Sequence, residues 1–268
     1  MKGVLASTYK LQSSLSEHWS VHRASNVKSS MSSRIDSARL NSVSSSESGA
    51  FLRLAVLSVS RSLSDIQFTT ACRSRLGMCL QVTSGLSQCD WNRHSIIDST
   101  GTHLYTCPKG NQRQIFYNAL NRVISELAHN AGIHNKSEPC GVFNNETDTR
   151  KRPDLILYAP KIKTIMHENG WLGDVVVDAS LTYPLSNSAL QLFNTAINRD
   201  DYLPAVEKRE REKISKYSVV ATSNNLAFVP AVADLFGSWS VHLSSLVREL
   251  VDKAAYRSTI SKSILLEY

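Results

Sequence analysis

Apolar residues recur every four positions in "NQRQIFYNALNRVISELAHNA", where Ile115, Ala119, Val123, Leu127 and Ala131 form one stripe that Leu120 and Ile124 broaden. That spacing predicts a helix over about 111–131, ended by Gly132. The pattern then changes. "DLILYAP" (154–160) and "GDVVVDASLTYP" (173–184) are short apolar runs rich in β-branched residues and bounded by turn formers, so both predict strands. "LPAVEKREREKISKY" predicts a charged helix with Pro204 near its start. "SVVATSNNLAFVPAVADLFG" predicts a strand, an Asn-Asn turn, a short strand and the start of a helix. "WSVHLSSLVRELVDKAAYRSTISKSI" (239–264) predicts a long closing helix with Trp239, Leu243, Leu246, Leu250 and Ala254 toward the core.

The N-terminal part is patterned less regularly. Eleven of the 24 residues at 25–48 are serines, whose hydroxyls compete for backbone hydrogen bonds, so the stretch reads as linker or loose surface. "AFLRLAVLSV" (50–59) predicts the start of a helix. "SLSDIQFTTACRSRLG" predicts a second, with Gly77 as its stop. Residues 79–108 read as loops and short strands. The order helix, strand, strand, charged helix, strand, helix predicts an α/β core covered by helices. Too few residues join the first two strands for a helical crossover, so a mixed sheet is expected.

Composition narrows the class. The chain has 268 residues, 42% of them apolar, enough for one substantial core. No stretch approaches 18 apolar residues, which argues against a membrane span, and the first 20 residues lack a signal-peptide core. Five cysteines without a dense framework argue against a disulfide-stapled domain. The net charge is +7, with eleven basic and six acidic residues in 1–100 against nineteen and seventeen in the rest. That excess favours nucleic acid or an anionic surface as partner.

The chemistry-bearing residues lie at the strand ends. Asp154 opens one predicted strand and Asp178 lies within the next. If the strands are neighbours, the carboxylates meet on one side of the sheet, where they repel unless a cation lies between them. Mg²⁺ (or Mn²⁺) suits such a pair, because it binds through one or two carboxylates and keeps several waters. Asp174 is a rival ligand, four residues from Asp178 and on the same strand face. Lys213 and Lys216 share one face of the charged helix, and either can bring an ammonium to the acids. Lys208 on that helix, and Arg150, Lys151 and Arg152 ahead of the first strand, are candidate contacts to a nucleic-acid backbone. "CDWNRHSIIDSTGTHLYTC" offers Cys89, His94, His103 and Cys107, donor types that suit tetrahedral Zn²⁺; Cys79 is an alternative to His94 as fourth ligand.

Taken in order, "RLG" (75–77), "GTHLYTC" (101–107), "RPDLILY", "VVVDASLTYP", "EKISKY" (212–217) and "AFVPAVADLFGSW" (227–239) resemble the C-terminal region of non-LTR retrotransposon polyproteins, over roughly residues 38–255. That region lies downstream of the reverse transcriptase and carries a Cys/His cluster followed by a restriction-like endonuclease of the PD-(D/E)XK type. The resemblance implies a restriction-endonuclease-like mixed sheet flanked by helices, with Asp154 and Asp178 as metal-binding acids. Ser180 stands where a lysine usually follows the second acid, so the resemblance moves the lysine to Lys213 or Lys216, with Tyr217 adjoining. Glu126, on the preceding helix, is a further candidate acid. The resemblance supports Cys89, His103 and Cys107 as zinc ligands and places Phe116–Tyr117 where relatives carry Arg-His. It divides the chain into a serine-rich extension (1–49), a helical and zinc-binding segment (50–108) and the endonuclease domain (109–268). It implies DNA, RNA and a reverse transcriptase as partners, and the nucleus as location. A non-catalytic nucleic-acid-binding module or a decayed remnant is the alternative.

Overall fold

The computed structural model describes residues 22–23, 26–27, 29–31, 33–45, 47–49, 63–91, 95–107, 109–143, 152–164, 167–171, 173–194 and 203–258. The helix expected at 50–59, His94, Arg150, Lys151 and the end of the closing helix beyond residue 258 lie outside the described residues.

The core is a four-stranded mixed sheet. Strands β1 (Asn135–Ser137), β2 (Leu155–Leu157), β5 (Val175–Thr182) and β6 (Ala227–Asp234) lie side by side in that order. β1 and β2, and β2 and β5, pair antiparallel, whereas β5 and β6 pair parallel. The short connection between β2 and β5 is filled by a two-stranded ribbon, β3 (Ile162–Thr164) with β4 (His167–Trp171), so no helical crossover is needed. The parallel step from β5 to β6 is the one bridged by helices, α5 (Asn187–Asn194) and α6 (Pro204–Ser223). Among the described residues the further α-helices are α1 (Arg34–Val43), α2 (Asp65–Leu76), α3 (Thr102–Thr106), α4 (Gln112–Asn130) and α7 (Val241–Ser258), with a short 3-10 turn at Gln81–Thr83. This is the α/β, restriction-endonuclease-like architecture that the resemblance implies.

Helices cover both faces of the sheet, which explains why β5 reads as a continuous apolar run rather than an alternating one. Leu155, Leu157, Val175, Val177 and Ala179 pack against Ile124 and Leu127 of α4 and against Leu243, Leu246 and Leu250 of α7. On the opposite face, Ile156, Val176 and Phe228 meet Tyr217, Val220 and Ala221 of α6. Pro230 sits in β6, the edge strand, where a missing N–H is tolerated.

Three local readings change. Residues 218–223, expected as a strand from their β-branched pair, continue α6, because Tyr217, Val220 and Ala221 share its buried face at helical spacing. The stretch after Pro230, expected to start a helix, is strand to Asp234, whose carboxylate then accepts the Phe236 and Ser238 N–H groups in a turn. The start of the α4 stripe also faces outward: Ile115 is exposed, and burial begins at Ile124.

The serine-rich stretch is more structured than its composition suggests. Ser33 caps α1, and Ser42 is buried, donating its hydroxyl to the Asp234 carboxylate. Arg39 donates to the Ser74 carbonyl at 2.8 Å, and Arg75 donates to the Phe236 carbonyl at 2.9 Å. Gly77 ends α2, as expected, with φ +69°. A Cβ there would also meet Arg39 Nε at 2.9 Å and push that side chain aside, but it is the left-handed conformation that selects glycine.

Candidate metal centre and acidic site

Cys89, His103 and Cys107 converge although the segment has little core. Cys89 follows a bridge between Gln88 and Ile96, and its N–H donates to the Ser95 carbonyl at 3.1 Å. Asp98 then starts α3 by accepting the Thr102 and His103 N–H groups at 3.0 and 2.9 Å. Burial pushes the Asp98 carboxyl up, but the Thr100 hydroxyl and then these N–H groups hold it below its ordinary range. α3 carries His103, and Cys107 stands at its C-cap. The three ligand atoms lie within 4.8 Å of one another.

The two sulfurs are 3.7 Å apart, far longer than a disulfide, and both cysteines are free. Two thiolates on a tetrahedral zinc with Zn–S bonds near 2.3 Å stand about 3.8 Å apart. His103 Nε2 is buried without a hydrogen-bond partner. Burial pushes the Cys107 thiol up, but N–H groups of Lys109 and Gly110, the neighbouring Cys89 and the Lys109 charge outweigh it, leaving Cys107 easier to ionise than an ordinary thiol. An orphaned imidazole nitrogen beside two free sulfurs at this spacing, with Cys107 easier to ionise, fits Zn²⁺. Among the described residues no fourth Cys, His, Asp or Glu joins this group; Cys79 is exposed and apart from it.

The acidic site forms where β2 leaves the sheet. β2 pairs with only Val175–Val177 of β5, which runs five residues further beside β6 alone. The Asp154 N–H still bonds the Val177 carbonyl at 3.0 Å. Its side chain then replaces the missing strand: Oδ2 accepts the Ala179 N–H at 2.6 Å, and Oδ1 accepts the Tyr117 hydroxyl from α4. Asp178 is buried, and Lys213 of α6 forms an ion pair with it. The Tyr217 hydroxyl lies between two acceptors, the Asp178 carboxylate and the Arg152 carbonyl at 3.3 Å, which share its single proton, and it accepts from Lys216 Nζ at 2.9 Å.

Electrostatics tie these groups together. Burial and the Asp178 charge raise the Asp154 carboxyl to about 6, against the pull of Tyr117, the Ala179 N–H and Lys213. Burial, then the hydrogen bond to Asp154, pushes the Tyr117 phenol above its ordinary value. Burial and Asp178 do the same to Tyr217. Lys213 pairs with Asp178 alone, so the Asp154 carboxylate, when ionised, adds a like charge beside that pair.

The other expected residues fall around this point or away from it. Lys213 touches the acid, whereas Lys216 touches Tyr217 and lies 4.5 Å from its ring centroid. Arg152 is exposed beside Asp154, and Lys208 is exposed one turn before Glu212. Asp174 accepts the Ala159 N–H at 2.8 Å and so serves the turn after β2. Glu126 forms a surface pair with Arg122 at 3.7 Å. Two contributors were not legible. Tyr117 stands in the "FY" that the resemblance treats as a lost histidine. Arg209 donates Nε to the Ser180 hydroxyl at 2.7 Å, so a cation reaches the position of the missing lysine from α6.

The chain matches no protein-family model and no curated protein. Among the described residues, no helix is long and apolar enough to cross a membrane.

Proposed function

We propose that this chain is a divalent-cation-dependent endonuclease domain of the retroelement type, nicking DNA to free a 3′ end that primes a reverse transcriptase. The observation that carries the reading is the convergence of Asp154, Asp178 and Lys213 where β2 leaves the sheet, with the Asp154 carboxyl raised by burial and by its neighbour Asp178. Two hard oxygen donors with unbalanced charge fit Mg²⁺ or Mn²⁺, which keeps waters for its other positions. The bound ion supplies charge stabilisation to a phosphate and acidity to a water.

The chain's own residues do the rest. Tyr117 and the Ala179 N–H fix the Asp154 rotamer. Lys213 holds Asp178 and offsets charge that grows on the phosphate during attack. Lys216 and Tyr217 brace the Arg152 carbonyl, next to the acid. Arg150, Lys151, Arg152 and Lys208 contact the phosphate backbone. Zn²⁺ on Cys89, His103 and Cys107 staples the preceding segment. DNA as substrate, an RNA template and the partner polymerase place the reaction in the nucleus.

A second reading, a nucleic-acid-binding module without activity, draws on Ser180 and on the direct Lys213 ion pair that already neutralises Asp178. A nicking assay on supercoiled plasmid with Mg²⁺ or Mn²⁺ separates the two. The endonuclease converts supercoiled to open-circular DNA, and Asp178→Ala abolishes this. Equal behaviour of wild type and D178A refutes the enzyme.

A further inference from the structure

A cavity of about 420 Å³ opens between the Cys/His segment and the end of the sheet. Its walls come from five elements: Tyr105 and Thr106 of α3, Arg113 at the start of α4, Thr182 at the end of β5, Ser188 of α5 and Arg209 of α6. A second cavity of about 160 Å³ shares Thr182, Ser186, Ser188 and Arg209 with it and extends toward Lys208. The two form one groove around Thr182, four residues beyond Asp178 on β5, and around Arg209, which also holds Ser180.

The lining has a consistent chemistry. Arg113 and Arg209 supply planar, permanently charged donors that suit phosphate. Arg209 spends Nε on Ser180 and Nη1 on Glu212, which leaves three of a guanidinium's five N–H groups. The Thr182 hydroxyl is buried and has no hydrogen-bond partner. Ser186 and Ser188 add hydroxyls to the rim, and Tyr105 is fixed by stacking on Tyr183 at 5.8 Å and by bonding Ser74 at 2.9 Å. Glu212 is the acid on this rim, and Arg209 already neutralises it.

We propose that this groove is a phosphate-binding subsite for the nucleic-acid strand flanking the cleavage point, with Arg113 and Arg209 as the two clamps. The inference rests on the endonuclease reading for its geometry. Arg209 and Lys213 are one turn apart on α6, about 6 Å, and Ser180 lies two residues beyond Asp178 on the same face of β5. A strand with one phosphate at the acids therefore passes its next phosphates into the groove. The Cys/His segment forms one wall through α3, so zinc binding shapes the subsite as well as the fold.

The test is binding without cleavage. The full-length, zinc-loaded chain is titrated with a fluorescein-labelled DNA oligonucleotide in magnesium-free buffer over a series of KCl concentrations. Arg113→Ala and Arg209→Ala each weaken binding about five- to tenfold at low salt and flatten log Kd against log[KCl] by about 1, whatever the oligonucleotide sequence. Arg113 is exposed, so its substitution leaves the fold intact and keeps the test valid if R209A unfolds. Unchanged affinity and slope in R113A overturn the subsite. A parallel arm adds inorganic phosphate at matched ionic strength. Displacement beyond the chloride control that is lost in R113A supports strand phosphates in the groove, and displacement that persists unchanged in R113A overturns it. Plasmid nicking is scored separately: nicking with unaltered R113A binding overturns the groove alone, and groove-dependent binding without nicking overturns the enzyme alone.

Discussion

Replacing Asp154 by asparagine is expected to stabilise the metal-free protein while removing its activity. The wild-type carboxyl is raised from 3.8 to about 6 by burial and Asp178. A shift of that size corresponds to roughly 3 kcal/mol at 1.36 kcal/mol per pH unit. The side chain is only part-buried, so solvent screening reduces the figure to about 2 kcal/mol. The sign follows from linkage. Between pH 3.8 and 6 the folded carboxyl holds a proton that the unfolded one has lost, so stability falls as pH rises through this window and stays low above it. Asparagine carries no charge and escapes the fall. Its oxygen can still accept the Ala179 N–H, and its amide can donate to the Tyr117 hydroxyl, so the two contacts survive. D154N should therefore melt about 4–8 °C above wild type at pH 8 in magnesium-free, zinc-replete buffer, and within a degree or two of it near pH 4. Saturating Mg²⁺ should raise only the wild type and narrow the gap. Scanning calorimetry at the two pH values reads all three outcomes. A D154N protein less stable than wild type at pH 8 refutes the picture of a second, uncompensated acid beside the Asp178–Lys213 pair.

Lys213→Ala should abolish nicking while Lys216→Ala lowers it less than about tenfold, because only Lys213 touches Asp178; a plasmid time course decides, and equal losses would reassign the lysine. Cys107→Ser should release the bound zinc, measured by a chromogenic chelator at one ion per chain in wild type, and lower the melting temperature of a segment that has little else to hold it. Glu210 and His242 form a buried pair at 2.7 Å, so Glu210→Ala should cost roughly 3 kcal/mol by chemical denaturation. Burial pushes the Glu210 carboxyl up, but His242 and Ser240 pull it below its ordinary 4.5. The pair's contribution is therefore present above pH 4.5 and is lost as pH falls through the lowered value, a loss that E210A should not show.

The sequence carried the two acids and the sheet for a simple physical reason: long apolar runs and turn formers are local signals. "RPDLILY" and "VVVDAS" announced β2 and β5 because both faces of those strands are buried. The mixed sheet followed from the short gap between them. Cys89, His103 and Cys107 were legible as donor types, and α3 brings them together because Asp98 fixes its first turn. The charged face of α6 did not reveal which lysine turns inward, since Lys213 and Lys216 share that face and only the crossing of α6 over β5 separates them. Tyr117 gave no signal, because its role depends on a partner 37 residues away across a tertiary contact. The strand misread at 218–223 shows local β-propensity losing to the packing of a buried helical face.

The short bond network that joins Ser42, Asp234 and Ser238 has a practical bearing on how this protein is cut. A truncation starting after residue 49 would look safe by composition, since serine-rich tails are usually dispensable. It would instead remove the hydroxyl donated to Asp234 and the carbonyl that receives Ser238, and strip cover from Phe236. Expression trials that begin at residue 30 should give better-behaved material than those that begin at residue 50.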